Sequence, residues 1–269
     1  MLALKEQTVH VEESPLNRRD FLKLAGTGLS SLLLASSGLT ALTQVAEARP
    51  FVRDKTPPAK TPLPPTEGLG IPKRFPLIEQ GIEGLSAKQI QAHLKLYEGY
   101  VKKYQSITQE LKAFTPEQLT NVNATYHPFR ELLVEESFAL NGILLHEAYF
   151  GILTPEPKAM SASLNALLVK QFGSIDAFQA QLTAAAKAMR GWAILAYCPR
   201  YQHFNFYGLD NHHTYAPMGV QPVLVVDVYE HAYLIDYGTD RSAYLNALWK
   251  QIDWTVVEAH LALGSASVW

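Results

Sequence analysis

The segment Asp227-Val-Tyr-Glu-His231-Ala-Tyr233 follows directly on the apolar run Pro222-Val-Leu-Val-Val226. The run reads as a buried strand. It delivers a carboxylate at its end and an imidazole four residues later, two hard-to-borderline metal ligands held by a rigid element. Taken alone, Asp227 also fits a strand-end cap and His231 a loop histidine. Two further histidines, His93 and His146, sit among apolar residues in helical patterns, where a single histidine is most often a core or interface residue. The one cysteine, Cys198, has no Cys-His motif around it. It reads as a small buried hydrophobe rather than a nucleophile, and it excludes a disulfide framework.

The elements that must position these groups are legible in outline. Ser86 can cap a helix starting at Ala87. Ile90, His93, Leu94, Tyr97, Tyr100, Val101 and Tyr104 then recur at three- and four-residue steps and share a face or two adjoining stripes. A second helix is expected over about 129–151, with Leu133, Phe138, Leu140, Ile143, Leu144 and Phe150 facing apolar neighbours and His146 among them. Thr154-Pro155-Glu156-Pro157 breaks the pattern and marks a domain boundary. Beyond it, 161–170 and 175–190 read as helices, 192–197 and 201–207 as a hairpin pair, and 208–219 as a polar loop. Residues 222–228 read as a third strand, and 241–252 and 254–262 as closing helices. The fold class is α+β: an N-terminal helical hairpin domain over 77–155, and a C-terminal domain over 156–269 with a three-stranded antiparallel sheet and flanking helices.

The chain has 269 residues, 48% hydrophobic and 18% charged, with net charge −2. That is ordinary globular composition, with no charge imbalance pointing to nucleic acid or an anionic membrane. The first 48 residues read as a leader. Asn17-Arg18-Arg19-Asp20-Phe21-Leu22-Lys23 looks like a twin-arginine export motif, an uncharged segment runs from Leu24 to Val45, and Ala46-Glu47-Ala48 fits a cleavage site. The Ser and Gly content of that segment argues against a permanent span, so no stable membrane insertion is expected after cleavage. The expected location is the periplasm or another exported compartment, reached folded through the twin-arginine machinery. Residues 49–76 carry eight prolines and read as an extended arm.

Several segments together resemble the iron/manganese superoxide dismutase family. Asp227 to Tyr233 resembles its D-x-W-E-H-A-Y signature, and Phe172-Gly173-Ser174-Ile175-Asp176-Ala177-Phe178 its F-G-S-F-D-x-F segment. Gly191-Trp192-Ala193 is similar to its strand opening. Tyr244, Trp249 and Trp254 fall on its C-terminal aromatic pattern, and Ser86-Ala87 with His93, and His146 with Tyr149-Phe150, on its two helix motifs. The resemblance covers roughly residues 77–262.

Residue by residue, it implies that His93, His146, Asp227 and His231 are the ligands of one iron or manganese ion per chain. Three imidazoles and a carboxylate suit a metal that cycles between +2 and +3, whereas zinc has no redox chemistry. The implied function is dismutation of superoxide to dioxygen and hydrogen peroxide. In the family a solvent molecule completes the ligand set, and a hydrogen bond to it sets the potential. One branch supplies that bond from a glutamine four residues before the second histidine; here that residue is Gly142. Another branch uses a loop residue before the Asp, which makes His212 the candidate, with Asn211 and His213 as alternatives. Tyr100 is the candidate for the family's gateway tyrosine. Three departures stand out. Tyr97 replaces a non-ligand histidine, Leu234 replaces a second tyrosine, and Tyr229 replaces a tryptophan. Glu230, which in the family reaches across a homodimer, is present. Two other readings remain open: an exported dismutase-like protein that binds metal without activity, and a non-haem iron oxygenase with two histidines and one carboxylate.

Overall fold

The structure, a computed structural model, describes residues 70–265. The expected export signal over residues 1–48 and residues 49–69 of the proline-rich arm lie outside the described residues. The elements in order are α1 (Ala87–Lys112), α2 (Pro116–Leu119), α3 (Pro128–Gly151), α4 (Ala162–Phe172), α5 (Ile175–Ala188), β1 (Trp192–Cys198), β2 (His203–Leu209) and β3 (Gln221–Asp227). A 3-10 turn (Glu230–Ala232), α6 (Leu234–Tyr237), α7 (Arg241–Leu248), a second 3-10 turn (Trp249–Gln251) and α8 (Trp254–Ser265) complete the chain.

Each helix start has a local cause. The Ser86 hydroxyl accepts from Gln89 N and caps α1 as expected. The Ser161 and Ser174 hydroxyls do the same for α4 and α5, satisfying N–H groups that have no partner inside the helix. The long helices α1 and α3 pack along each other as a hairpin, burying Ile90, Tyr97, Val101, Ile143 and Phe150. Leu133 and Leu144, expected to face apolar neighbours, lie instead on the outer face of α3, half exposed at 50% and 53%. An apolar period locates a stripe, but which stripe is covered depends on the partner element.

The sheet order is β2-β1-β3, antiparallel throughout. Its central strand, β1, reads Trp-Ala-Ile-Leu-Ala because it is covered on both faces. Trp192, Leu195, Phe178, Leu182 and Leu168 are fully buried, each contributing about 1.5–3 kcal/mol of hydrophobic stabilisation. The second strand begins at His203 rather than Tyr201. The chain needs residues 199–202 to reverse direction, and Gln202 closes that turn at φ 53° with its N–H on Cys198 O. Gly208 and Leu209 consequently belong to β2 and not to the loop. Cys198, expected buried, ends β1 as a free and only partly buried cysteine. Leu153 bridges Ile252, and Thr154 N bonds Gln251 O, so the Pro-rich break after α3 is held by the C-terminal segment.

The last residues of the proline-rich stretch lie against the helical hairpin. Phe75 packs on Tyr97 and Phe150, and the Lys73 amine pairs with Glu147 at 2.7 Å. The Tyr97 hydroxyl accepts from Lys73 N at 2.8 Å and donates to Glu147 at 2.9 Å. The histidine-to-tyrosine departure at position 97 therefore has a local role: it joins the entering chain to both long helices.

Candidate metal centre

β3 ends at Asp227, which pairs in register with Trp192 at the start of β1. The carboxylate is fully buried. Its Oδ1 accepts from Tyr229 N at 2.9 Å, so the chain turns immediately after the strand and brings His231 back over the same group. Oδ2 faces three imidazoles: His93 Nε2 at 3.0 Å, His231 Nε2 at 3.3 Å and His146 Nε2 at 3.6 Å. One ligand atom from each of the four residues lies within 4.8 Å of the others. α1 supplies His93, α3 supplies His146, and the segment after β3 supplies the remaining pair. The four residues singled out in the sequence thus meet at one point.

This arrangement has a chemical gap that a cation fills. The Gly142 carbonyl can only accept, so His146 Nδ1, 2.5 Å from it, carries the proton. Its Nε2 is then a lone pair, buried without a hydrogen-bond partner and aimed at a carboxylate oxygen. Two lone pairs facing each other across 3.6 Å repel unless a positive charge lies between them. Burial, reinforced by repulsion from His93, pushes the His146 pKa down to about 3. Burial likewise lowers His93, against the opposing pull of Asp227. Burial alone would raise Asp227, but His231 and His93 outweigh it and hold the carboxyl below the usual carboxylate range. Neutral imidazoles around an ionised carboxylate are the donor set that borderline divalent and trivalent ions take. The residues present fit an iron or manganese ion.

His212 lies beside this cluster, fully buried, its ring 5.7 Å from that of His146. Trp192 donates its indole N–H to His212 Nδ1 at 3.0 Å. The indole can only donate, so Nδ1 accepts and the proton of the neutral ring sits on Nε2. That Nε2 has no partner of its own. Burial pushes the His212 pKa down to about 4. Tyr100 stands over both rings, 4.6 Å from His212 and 5.4 Å from His146. Burial raises its phenol, and the Asp227 charge adds to the effect. The alternatives to His212 point elsewhere. Asn211 Oδ1 accepts from the N–H groups of His213 and Thr214 and makes the loop's turn, and the His213 ring packs on Phe138.

Gly142 makes this grouping possible. A Cβ there would come within 3.1 Å of the Tyr100 ring and 3.4 Å of His212 Cδ2. The space a side chain would need there is filled by the Tyr100 ring and by His212 from the loop. Tyr229 stacks on His231 at 4.9 Å and lies against Trp192 and His212, so it forms one side of the ring of aromatic groups around the histidines. Sequence reasoning missed three supporting groups. In the sequence Trp192 reads only as a strand opening. Tyr244, which donates to the Asp227 carbonyl at 2.8 Å, reads in the sequence only as part of an aromatic pattern. Gln89 carried no signal beyond its position one turn before His93.

The pattern "Iron/manganese superoxide dismutases, C-terminal domain" matches residues 160–260. The chain is 41% identical to "Superoxide dismutase [Fe]" of Aquifex pyrophilus over 194 residues, 70% of this chain and 91% of that relative. The chain belongs to the iron/manganese superoxide dismutase family. Other members are similar over shorter or more divergent spans. "Superoxide dismutase [Fe]" of Cupriavidus metallidurans is 36% identical, covering 64% of this chain and 86% of that protein. "Superoxide dismutase [Mn/Fe]" of Aeropyrum pernix is 31% identical, covering 49% of this chain and 64% of that protein. The family's helical hairpin and three-stranded sheet are the architecture found here.

Proposed function

We propose that this protein is a superoxide dismutase whose single iron or manganese ion is held by His93, His146, Asp227 and His231. One observation carries the reading: a buried carboxylate oxygen faces three imidazole Nε2 atoms within 3.6 Å, and one of these is a partnerless lone pair. The ion supplies one-electron cycling between its +2 and +3 states. The net reaction takes two superoxide ions and two protons to one dioxygen and one hydrogen peroxide.

The protein's own part is to orient, shield and deliver protons. Tyr244 fixes the Asp227 backbone and Gly142 O fixes the His146 tautomer, so two of the four donor atoms are aimed by neighbouring groups. Phe138, Phe150, Trp192 and Tyr229 surround the histidines with rings and keep bulk water out. Two protons stand beside the cluster at neutral pH. His212 keeps one on Nε2 because Trp192 occupies Nδ1, and Tyr100 keeps one on its hydroxyl because burial disfavours the phenolate. Tyr100 and His212 are the proposed catalytic residues, donating to the peroxide product and recovering protons from solvent.

The test is metal content and dismutation rate of the chain from Arg49 onward, beside His146→Ala. Near-stoichiometric iron or manganese with activity that vanishes in the variant is expected. Metal without activity would move the assignment to a metal-binding protein, and absence of both metals would refute the ligand set.

The cellular setting follows from residues outside the site. Arg18-Arg19 in their motif support export of the folded protein through the twin-arginine pathway, with cleavage after Ala48 and residence in the periplasm. N-terminal sequencing of the exported chain, beside Arg18→Lys/Arg19→Lys, tests this. Exposed Glu230, next to His231, supports a homodimer, which multi-angle light scattering of the wild type and Glu230→Ala tests.

A further inference from the structure

We infer that Gln89 is the positioning residue that sets where His231 meets the metal; this rests on the ligand reading above. His231 is the most exposed of the four candidate ligands, and it sits on weak local structure. Its 3-10 turn spans three residues with no side-chain cap, and α6, which follows, has four residues and no side-chain cap either. Between them Tyr233 leaves the helical region, at φ −148° and ψ −12°.

That break separates a pair of groups that a continuous α-helix would join. In such a helix the N–H of residue 235 would donate to the carbonyl of residue 231. Here the Gln89 side chain occupies the gap instead. Its Nε2 donates to His231 O at 2.6 Å, and its Oε1 accepts from Ile235 N at 3.0 Å. The amide orientation is unambiguous, since a carbonyl only accepts and a backbone N–H only donates. Gln89 is 1% exposed. It lies one helical turn before His93, so α1 presents one candidate ligand and grips the backbone of another from the same face.

The clamp bridges two segments more than 140 residues apart. A primary amide is the side chain that offers both a donor and an acceptor at the spacing of a missing backbone bond. A carboxylate in its place keeps the acceptor for Ile235 N and turns a donor into a repulsion against His231 O. A methionine of similar length removes both. The nearby tie from Ser86 N and Oγ to Asp236 joins the same two segments without touching the backbone of a ligand. It separates positioning from docking.

The experiment compares wild type, Gln89→Met, Gln89→Glu and Asp236→Ala. It reads the rate of metal loss to excess chelator, the visible or paramagnetic resonance spectrum of the bound ion, and thermal unfolding. Both Gln89 variants are expected to lose metal roughly 10- to 100-fold faster, the range for removing a group that orients a ligand, with an altered spectrum. Asp236→Ala is expected to unfold earlier while keeping the wild-type spectrum and release rate. Wild-type release and spectrum in Gln89→Met refute the inference, as does an equal change in Asp236→Ala. If Gln89→Met does not fold, Gln89→Glu decides by the same two readings. A wild-type chain that binds neither iron nor manganese would instead overturn the ligand assignment itself.

Discussion

Gly142→Ala tests how tightly the outer hydrogen-bonding groups are fixed. The added methyl would stand 3.1 Å from Tyr100 Cγ and Cδ1 and 3.4 Å from His212 Cδ2, whereas carbon atoms in contact rest at about 3.5–4.0 Å. The Tyr100 ring must therefore retreat by about 0.5 Å, while His212 at 3.4 Å is already in ordinary contact. Stability is pulled both ways. Alanine gains about 1 kcal/mol over glycine inside a helix, and overpacking costs about 1–3 kcal/mol. The net change should fall between neutral and about 2 kcal/mol destabilising. Activity has no such offset. If misplacement of a reacting group by 1 Å costs about a hundredfold, half that distance costs on the order of tenfold. The expected variant is folded, fully metallated and about ten times slower in a pulse-radiolysis or cytochrome-coupled dismutation assay. Wild-type turnover at full metal loading would show that the position of the Tyr100 ring does not matter and would refute the role given to Tyr100.

Trp192→Phe removes the donor that fixes His212's tautomer. Metal should stay bound while turnover falls several-fold and its pH profile shifts, and an unchanged profile would argue against proton delivery by His212. Tyr97→Phe strands Lys73 N and loses the bond to Glu147. Urea unfolding should show a loss of about 1–3 kcal/mol, with the metal-site spectrum intact. For metal-free protein, acid should destabilise well above the carboxylate range. His146 titrates at 6.5 unfolded and about 3 folded, so between those values the unfolded chain binds a proton the folded one refuses. Stability from this group is complete above 6.5 and falls with pH, by about 2 kcal/mol at pH 5. Asp227 is also depressed, and its contribution is complete above its unfolded value of 3.8 and is lost as pH falls from there through its folded one. Denaturation curves at pH 7 and 5, with and without bound metal, check the sign: a metal-free protein equally stable at both would contradict it.

By itself the sequence determined what depends on local order. The Ser86 cap and the start of α1, the run that became β3, and the placing of Asp227 four residues before His231 all follow from propensity and spacing along one segment. The family signature was equally local, and it singled out His93 and His146 although neither helix shows by its own pattern what its histidine faces. Only the tertiary structure decided what depends on elements far apart in the chain. It brought three imidazoles to one carboxylate oxygen and set the His212 ring, rather than Asn211 or His213, beside that cluster by folding the loop over Gly142. It left Leu133 and Leu144 on an outer face, and it threaded the Gln89 amide into a break in another segment. Hydrogen bonds and ring contacts between distant residues act over a few ångströms in space, and no pattern along the chain encodes a distance that closes only when α1, α3 and β3 pack together.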